Sequence, residues 1–146
     1  MKKILIVFGL LILACNSITA QIWHTNFNQA KAMASKTGKP IVLAFQGSDW
    51  CGICIRQHKR VWSTEVFKQH AKENYVLLLA DFPKRKKNLL PAAQQKANTD
   101  LALKYNKKQI FPYVVVLNEK GTVLGSTKYK RLNAESFIKV IDAFVK

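Results

Sequence analysis

The 146-residue sequence is poor in acidic residues, glycine, proline and cysteine. It holds only 6 glycines and 4 prolines, which excludes collagen-like and low-complexity chains. Only 8 Asp and Glu stand against 24 Lys and Arg, a formal net charge of +16. Such an excess favours an acidic partner, an anionic membrane surface or nucleic acid, and it says nothing about the fold. The hydrophobic fraction of 49% is sufficient for the core of one domain.

The first twenty residues have the pattern of a secretory signal peptide. Two lysines precede an unbroken apolar run, residues 4–14, and a small polar segment follows it. A transmembrane anchor is the alternative, but such a helix needs about 20 apolar residues. We therefore expect residues 1–20 to be a signal peptide and residues 21–146 to form one exported domain, which is periplasmic or secreted.

A second processing site competes with cleavage after Ala20. The stretch Leu11-Ile12-Leu13-Ala14-Cys15 resembles a bacterial lipoprotein box, in which Cys15 would carry the lipid anchor. The bulky Leu13 departs from that pattern, so cleavage after Ala20 is the favoured interpretation. Under both interpretations Cys15 is not part of the folded domain, which therefore has two cysteines.

The two remaining cysteines, Cys51 and Cys54, form a Cys-x-x-Cys motif. A disulfide between them closes too short a loop to stabilise the fold much, so redox chemistry or metal binding explains the pair better. A zinc site needs four ligands, and apart from His58 no second Cys or His pair accompanies the motif. The spacing favours redox chemistry, and we expect neither a metal nor another cofactor.

The residues around the motif predict a buried strand followed by a helix. Residues 41–45 form a continuous apolar run, which is typical of a strand buried on both faces. Cys51 would lie in the first turn of the helix, where free backbone N–H groups and the helix dipole favour a thiolate. Cys54 would lie one turn further, less exposed and within disulfide reach. The apolar residues that predict one continuous amphipathic helix are Ile53, Val61, Trp62, Val66 and Phe67.

The rest of the chain alternates helices and strands as a parallel α/β domain does. The last two predicted strands are separated by a turn and form an antiparallel hairpin. No repeat or linker divides the chain. The predicted helices span residues 26–38, 92–105 and 134–145, and the predicted strands span residues 75–80, 113–117 and 122–126.

Several motifs together resemble the thioredoxin superfamily. Trp50-Cys51-Gly52-Ile53-Cys54 follows a predicted buried strand, and Ile110-Phe111-Pro112 opens a later strand. The stretch Gly47-Ser48-Asp49-Trp50-Cys51 and the segment 81–95 are most similar to exported bacterial thioredoxin-like proteins related to the reductase domain of DsbD. The resemblance implies an α/β thioredoxin fold, with a central mixed β-sheet flanked by helices, over nearly all of residues 21–146.

The resemblance implies a thiol–disulfide oxidoreductase that reduces or exchanges protein disulfides. It makes Cys51 the nucleophile that attacks a substrate disulfide and Cys54 the residue that resolves the mixed disulfide. Pro112 would match the family's cis-proline, and an ordinary trans proline that opens a strand is the alternative. The residues expected to form the rim of the site or to tune it are Trp50, Gly52, Ile53, His58, Phe111 and Pro112.

Two positions depart from the thioredoxin pattern. Thioredoxins carry a buried acid in the strand before the motif, where this chain has Ala44 or Phe45. Many relatives carry a carboxylate four residues after the second cysteine, where this chain has His58. The step of four places His58 on the same helix face as Cys54. We hypothesise that its imidazolium lowers the pKa of a cysteine, and a partly exposed histidine without a role is the alternative.

Charged residues near the motif have two interpretations each. Asp49 either places a charge near the thiolate or is a turn residue, and the turn is favoured. The basic run Lys84-Arg85-Lys86-Lys87 either docks an acidic partner or is a solvated loop, and the solvated loop is favoured.

The resemblance and the charge together predict the partners. Protein disulfides would be the substrates, and a membrane protein of DsbD type would be the electron donor. A partner with an acidic surface fits the basic composition. Nucleic acid is not expected, since packing explains the aromatic residues. The rival function is a thioredoxin-fold binding or chaperone-like module with little redox turnover.

Overall fold

The computed structural model describes residues 21–146, so the predicted signal peptide and Cys15 lie outside the described residues. Within that range no helix is long and apolar enough to cross a bilayer. The elements in chain order are β1 Trp23–His24, α1 Phe27–Thr37, β2 Ile41–Gln46, α2 Gly52–Gln57, α3 Glu65–Asn74, β3 Val76–Asp81, α4 Ala92–Tyr105, β4 Tyr113–Leu117, β5 Val123–Lys128 and α5 Ala134–Asp142.

The strands form one mixed sheet in the order β1-β3-β2-β4-β5. β1 and β2 both run parallel to β3, whereas β4 runs antiparallel to β2 and to β5. This arrangement confirms the predicted mixed sheet with flanking helices. β1 was not predicted, because a strand of two residues is too short to show an alternating pattern.

β2 lies at the centre of the sheet and is buried on both faces. Ile41, Leu43 and Phe45 pack in the layer that contains α1 and α4. Val42 and Ala44 pack in the opposite layer, which contains α3 and α5. The sequence of a strand covered on both faces is typically a continuous apolar run. The prediction of a buried strand before the motif is therefore confirmed.

The region after the motif is not the single helix that the sequence predicts. A π-helical segment, His58–Trp62, separates α2 from α3. The hydroxyl of Thr64 accepts a hydrogen bond from the N–H of Phe67 at 3.3 Å, which caps the start of a new helix. Ile53 and Val66, which a continuous helix would bury, are each 45% exposed. The prediction of one helix is wrong because the π-helical segment interrupts it and the cap at Thr64 starts a separate helix.

A polar cluster around Asp142 joins α3 to α5. Its carboxylate accepts a hydrogen bond from the hydroxyl of Tyr75 and lies 3.1 Å from Nε2 of His70. Burial, together with this bond, raises the pKa of Tyr75 well above its usual range. The Tyr75 hydroxyl therefore remains a donor at neutral pH, and His70 belongs to this structural cluster.

Two buried amide side chains differ in their hydrogen bonding. Asn98 donates from Nδ2 to the carbonyl of Asp81 at 2.8 Å and accepts from Gln94 at 2.8 Å. Gln57 is 1% exposed, and its Nε2 has no hydrogen-bond partner among residues 21–146. A buried donor without a partner costs about 1–3 kcal/mol, so Gln57 lowers the stability of the domain.

Replacing Gln57 with methionine is therefore expected to stabilise the protein by about 1 kcal/mol, because methionine fills a similar volume without a donor. Asn98→Leu is the matched control. It is expected to destabilise the protein by about 1–3 kcal/mol, since the carbonyl of Asp81 would lose its donor. Urea unfolding of the oxidised proteins measures both changes, and a loss of stability in Gln57→Met would contradict the argument.

Candidate redox site

Cys51 and Cys54 are joined by a disulfide at the start of α2, with their Cα atoms 5.2 Å apart. Cys51 is the N-cap of the helix, and its Sγ accepts a hydrogen bond from the N–H of Cys54 at 3.2 Å. Cys51 is 7% exposed and Cys54 is 2% exposed. Cys51 is thus the more exposed residue of the pair, and its Sγ already contacts a backbone donor of the kind that stabilises a thiolate.

The turn between β2 and α2 is held in place by hydrogen bonds at both of its ends. The N–H and the hydroxyl of Ser48 both donate to the carboxylate of Asp81, at 2.9 and 2.5 Å. The N–H of Cys51 donates to the carbonyl of Gly47 at 2.9 Å. These bonds fix Cys51 relative to the carboxyl ends of β2 and β3.

Three aromatic side chains form a wall beside the cysteine pair. The ring nitrogen of Trp50 donates to the carbonyl of Phe82 at 2.7 Å. The ring of Phe111 lies edge-on to Trp50, with centroids 5.5 Å apart, and edge-on to Phe82, with centroids 5.4 Å apart. Trp50 nevertheless remains 40% exposed. This wall presents an apolar surface next to Cys51.

Pro112 lies at the same end of the sheet as the cysteine pair. The Phe111–Pro112 peptide bond is cis. Tyr113, the next residue, pairs with Phe45 near the end of β2, and β2 leads into the turn that carries Cys51. The sheet register therefore places a segment from the far end of the chain beside the motif.

His58 lies on the Cys54 side of the site. It is exposed, and together with Cys54 it lines a cavity of about 280 Å³. Ala44 and Phe45, the two candidates for the position of the thioredoxin acid, are both buried in apolar layers, on opposite faces of the sheet. The structure thus brings His58 near the pair, and β2 itself contributes no titratable group.

Asp49 holds the basic run, residues 84–87, against the site. Its carboxylate accepts hydrogen bonds from the N–H of Lys84 at 2.9 Å, the N–H of Arg85 at 3.0 Å and Nδ2 of Asn88 at 2.9 Å. These bonds, that of Lys84 foremost, hold the pKa of Asp49 below its ordinary value of 3.8. The stability that these hydrogen bonds contribute is thus fully present above pH 3.8. It is lost as the pH falls through the lowered pKa of Asp49.

The structure adds a long-range contact to two interpretations made from the sequence: Asp49 lies in a turn, and residues 84–87 are a solvated segment, as predicted. Asp49 is more than a turn residue, because its partners lie 35 to 39 residues further along the chain. Residues 84–87 are exposed, but their backbone is not free, since Asp49 holds two of its N–H groups. We call residues 84–87 the basic loop. Sequence reasoning missed this contact because nothing local in either segment signals it.

The basic loop borders a groove beside the aromatic wall. Nζ of Lys84 lies 4.0 Å from the centroid of the Trp50 ring, a cation–π contact. The groove has a volume of about 410 Å³, and we call it the rim groove. The residues lining it include three aromatic side chains, one cation and one carboxylate: Trp50, Phe82, Phe111, Lys84 and Asp81.

The chemistry of the pair follows from its position. A disulfide that closes so short a loop adds little to stability, and this one lies beyond the carboxyl end of the central strand β2, at the start of α2. Among residues 21–146 no three His, Cys, Asp or Glu side chains converge as a metal site. Such a pair serves thiol exchange, which makes the protein a thiol–disulfide oxidoreductase of thioredoxin fold. Residues 22–119 match the thioredoxin-like family. The chain belongs to that family.

Known proteins resemble the chain over most of its length. Disulfide bond reductase DsbH of Chlamydia pneumoniae is 27% identical over 127 residues, which are 87% of this chain and 75% of that protein. Thioredoxin-related protein DsbJ of the same organism is 22% identical over 81% of this chain, but only 37% of DsbJ is covered.

Solved structures agree with these sequence comparisons. A structure described as DsbH oxidoreductase superposes with a TM-score of 0.78 at 26% identity, and the match covers 85% of this chain and 83% of that one. A thioredoxin from Thermus thermophilus superposes with a TM-score of 0.65 at 16% identity, covering 86% and 88% of the two chains. The second similarity supports the fold alone.

Proposed function

We propose that the protein reduces or exchanges disulfides in other proteins outside the cytoplasm. The observation that carries this proposal is the Cys51–Cys54 disulfide, in which Cys51 is the more exposed residue and its Sγ already accepts a backbone hydrogen bond. The similarity to a disulfide bond reductase supports net reduction as the direction.

The reaction proceeds by two thiolate exchanges. In the reduced protein, the Cys51 thiolate attacks one sulfur of the client disulfide, which forms a mixed disulfide and releases the other client sulfur as a thiolate. Cys54 then loses its proton and attacks Sγ of Cys51. This step releases the second client thiolate and restores the Cys51–Cys54 disulfide. Two electrons have moved from the protein to the client, and the released thiolates take up protons from solvent.

The surrounding residues orient the client. Gly52 and Ile53 are exposed between the two cysteines, so they form the rim over which the client sulfur approaches. Trp50 and Phe111 supply an apolar wall on one side. The backbone beside Pro112 pairs with an extended client segment, as the resemblance to thioredoxins implies.

Reduction of insulin disulfides tests the function. The wild-type protein is expected to accelerate the reaction well above the rate of dithiothreitol alone, and Cys51→Ser is expected to react at the background rate because the attacking sulfur is missing. Equal, negligible rates would favour the rival function, a binding or chaperone-like module. Equilibration with glutathione gives the direction: a potential nearer the about −270 mV of thioredoxin than the about −120 mV of DsbA supports reduction.

The location and the partners are part of the same proposal. The signal-like pattern of residues 1–20 supports export to the periplasm or beyond, and a lipid on Cys15 is the alternative. Each turnover leaves the pair oxidised, so an electron donor must reduce it again, and a membrane protein of DsbD type fits an exported chain. Residues 21–146 carry a formal charge of +14, the two lysines of the signal-like segment being excluded, which favours acidic partners.

His58 is proposed to tune the cysteine pair. Its side chain lines the same cavity as Cys54, and a nearby cation favours the thiolate form of a cysteine. His58→Gln is expected to raise the pKa of Cys51, measured by thiolate absorbance of the reduced protein. His24→Gln, in β1, is the control and is expected to leave that pKa unchanged. An unchanged Cys51 pKa in His58→Gln would mean that His58 has no role in tuning.

A further inference from the structure

The basic loop, residues 84–87, is a group of four consecutive cations whose side chains form no salt bridge within residues 21–146, and the one carboxylate held against the loop, that of Asp49, leaves its net charge strongly positive. All four residues are exposed. The salt bridges found within residues 21–146 involve other residues, among them Lys68 with Glu65 and Lys96 with Asp100. The positive charge of the basic loop is therefore available to a ligand.

The position of this charge is fixed by the site itself. Asp49 lies two residues before Cys51 and holds the backbone of Lys84 and Arg85 through two hydrogen bonds. Lys84 in turn lies over the ring of Trp50. Because the loop is already ordered, a ligand that binds it pays less conformational entropy than it would for a free loop.

The rim groove lies between the residue next to the reacting sulfur and the first residue of the basic loop. Trp50 directly precedes Cys51 and lines the groove, together with Phe82, Phe111 and Lys84. Asp81, which also lines it, accepts both hydrogen bonds of Ser48. A client segment whose cysteine contacts Cys51 would pass over this apolar wall, and its next residues would reach Lys84 and the basic loop.

We propose that the basic loop and the rim groove select client segments that carry carboxylates close to the reacting disulfide. The ligand is an acidic, extended segment of a protein client. This inference rests on the proposed function, because it specifies which disulfides the Cys51–Cys54 pair reduces. It assigns the basic loop a role in specificity that the net charge of the chain alone would not give.

The test compares three disulfide peptides that differ only in the residues flanking the cysteine: two glutamates, two glutamines or two lysines. For the wild-type protein, kcat/KM is expected to be about tenfold higher for the acidic peptide than for the neutral one at low ionic strength, and lowest for the basic one. In 1 M NaCl the preference should largely disappear, since the Debye length falls to about 3 Å.

Two double variants separate the loop from the net charge. Lys86→Gln with Lys87→Gln removes two charges from the basic loop and is expected to abolish most of the preference for the acidic peptide. Lys36→Gln with Lys72→Gln removes two charges near the starts of β2 and β3, at the opposite end of the sheet. This double variant is expected to keep the preference for the acidic peptide. Equal losses in both double variants would overturn the proposal.

Asp49→Ala changes the preference for the acidic peptide in opposite directions, depending on whether net charge or the basic loop causes that preference. It makes the protein more positive, so a net-charge effect predicts a stronger preference for the acidic peptide. It also frees the basic loop, so the proposal predicts a weaker one. Effects of the variant on the cysteine chemistry cancel in the ratio of kcat/KM for the acidic peptide to kcat/KM for the neutral peptide. A rise in that ratio would contradict the proposal.

The neutral peptide keeps this inference distinct from the proposed function. If wild type reduces all three peptides equally, the inference fails and the reductase function stands. If it reduces none, the function itself fails. Vesicles containing phosphatidylserine test a membrane as the ligand: a loss of vesicle binding in Lys86→Gln with Lys87→Gln, without a change in peptide preference, would overturn the inference in favour of a lipid surface.

Discussion

A Cys54→Ser variant is expected to accumulate a mixed disulfide with its client, linked through Cys51. The second exchange needs the Cys54 sulfur, and a serine hydroxyl cannot attack a disulfide at neutral pH. The first exchange needs only Cys51, which is the more exposed residue of the pair. Turnover should therefore fall to the uncatalysed background while the covalent complex persists. Non-reducing electrophoresis and mass spectrometry of the complex measure the result.

The Cys51→Ser variant is the matched control for this trap. Its remaining thiol, Cys54, is almost completely buried, so little or no mixed disulfide is expected. Both variants keep the size of the side chain, so a difference between them reports the roles of the two sulfurs and not a change in packing. Equal trapping through either cysteine would contradict the assignment of an attacking and a resolving residue.

The second large effect is expected from Gly47→Ala, in the turn before the motif. A Cβ at Gly47 would lie 2.3 Å from Cε2 and 2.4 Å from Nε1 of Trp50. The indole cannot move aside freely, because it donates to the carbonyl of Phe82 and packs against Phe111. We expect a loss of about 1–3 kcal/mol in stability, as for other overpacked sites, together with displacement of Trp50 from the rim.

Gly52→Ala provides the control for this change. A Cβ at Gly52 would meet no atom of the described part of the chain within 4 Å, and alanine is favoured over glycine in a helix by about 0.5–1 kcal/mol. Its stability should therefore be unchanged or slightly increased. Urea unfolding of both variants measures the difference.

A double-mutant cycle then identifies the cause. If the clash with the indole destabilises Gly47→Ala, the same substitution should cost little in a Trp50→Ala background, because the two residues are in contact and their effects do not add. Equal costs in both backgrounds would mean that the effect arises in the backbone of the turn.

Local sequence patterns predicted most of the regular elements. Asn26 caps α1 by accepting from the N–H of Gln29 at 3.1 Å, and Gly38 ends that helix with a positive φ of 70°. Both signals act within four residues, so they are visible in the sequence. The bounds predicted for α4 also agree with the structure.

The elements that were missed depend on contacts between distant segments. β1 is a strand only because Trp23 and His24 pair with β3. The break between α2 and α3 coincides with Val61 and Trp62, which are buried in the layer that contains α3 and α5. Periodicity alone does not distinguish one long helix from two helices that bury the same apolar residues.

In the candidate site, too, the sequence predicted local features and missed contacts between distant segments. The sequence by itself determined that Cys51 and Cys54 are three residues apart, follow a buried strand and begin a helix, because spacing and hydrophobic pattern express local geometry. Only the tertiary structure decided that Asp49 holds the basic loop and that Phe111 packs against Trp50. Those contacts depend on strand register and side-chain packing between segments 35 or more residues apart, and no local periodicity encodes them.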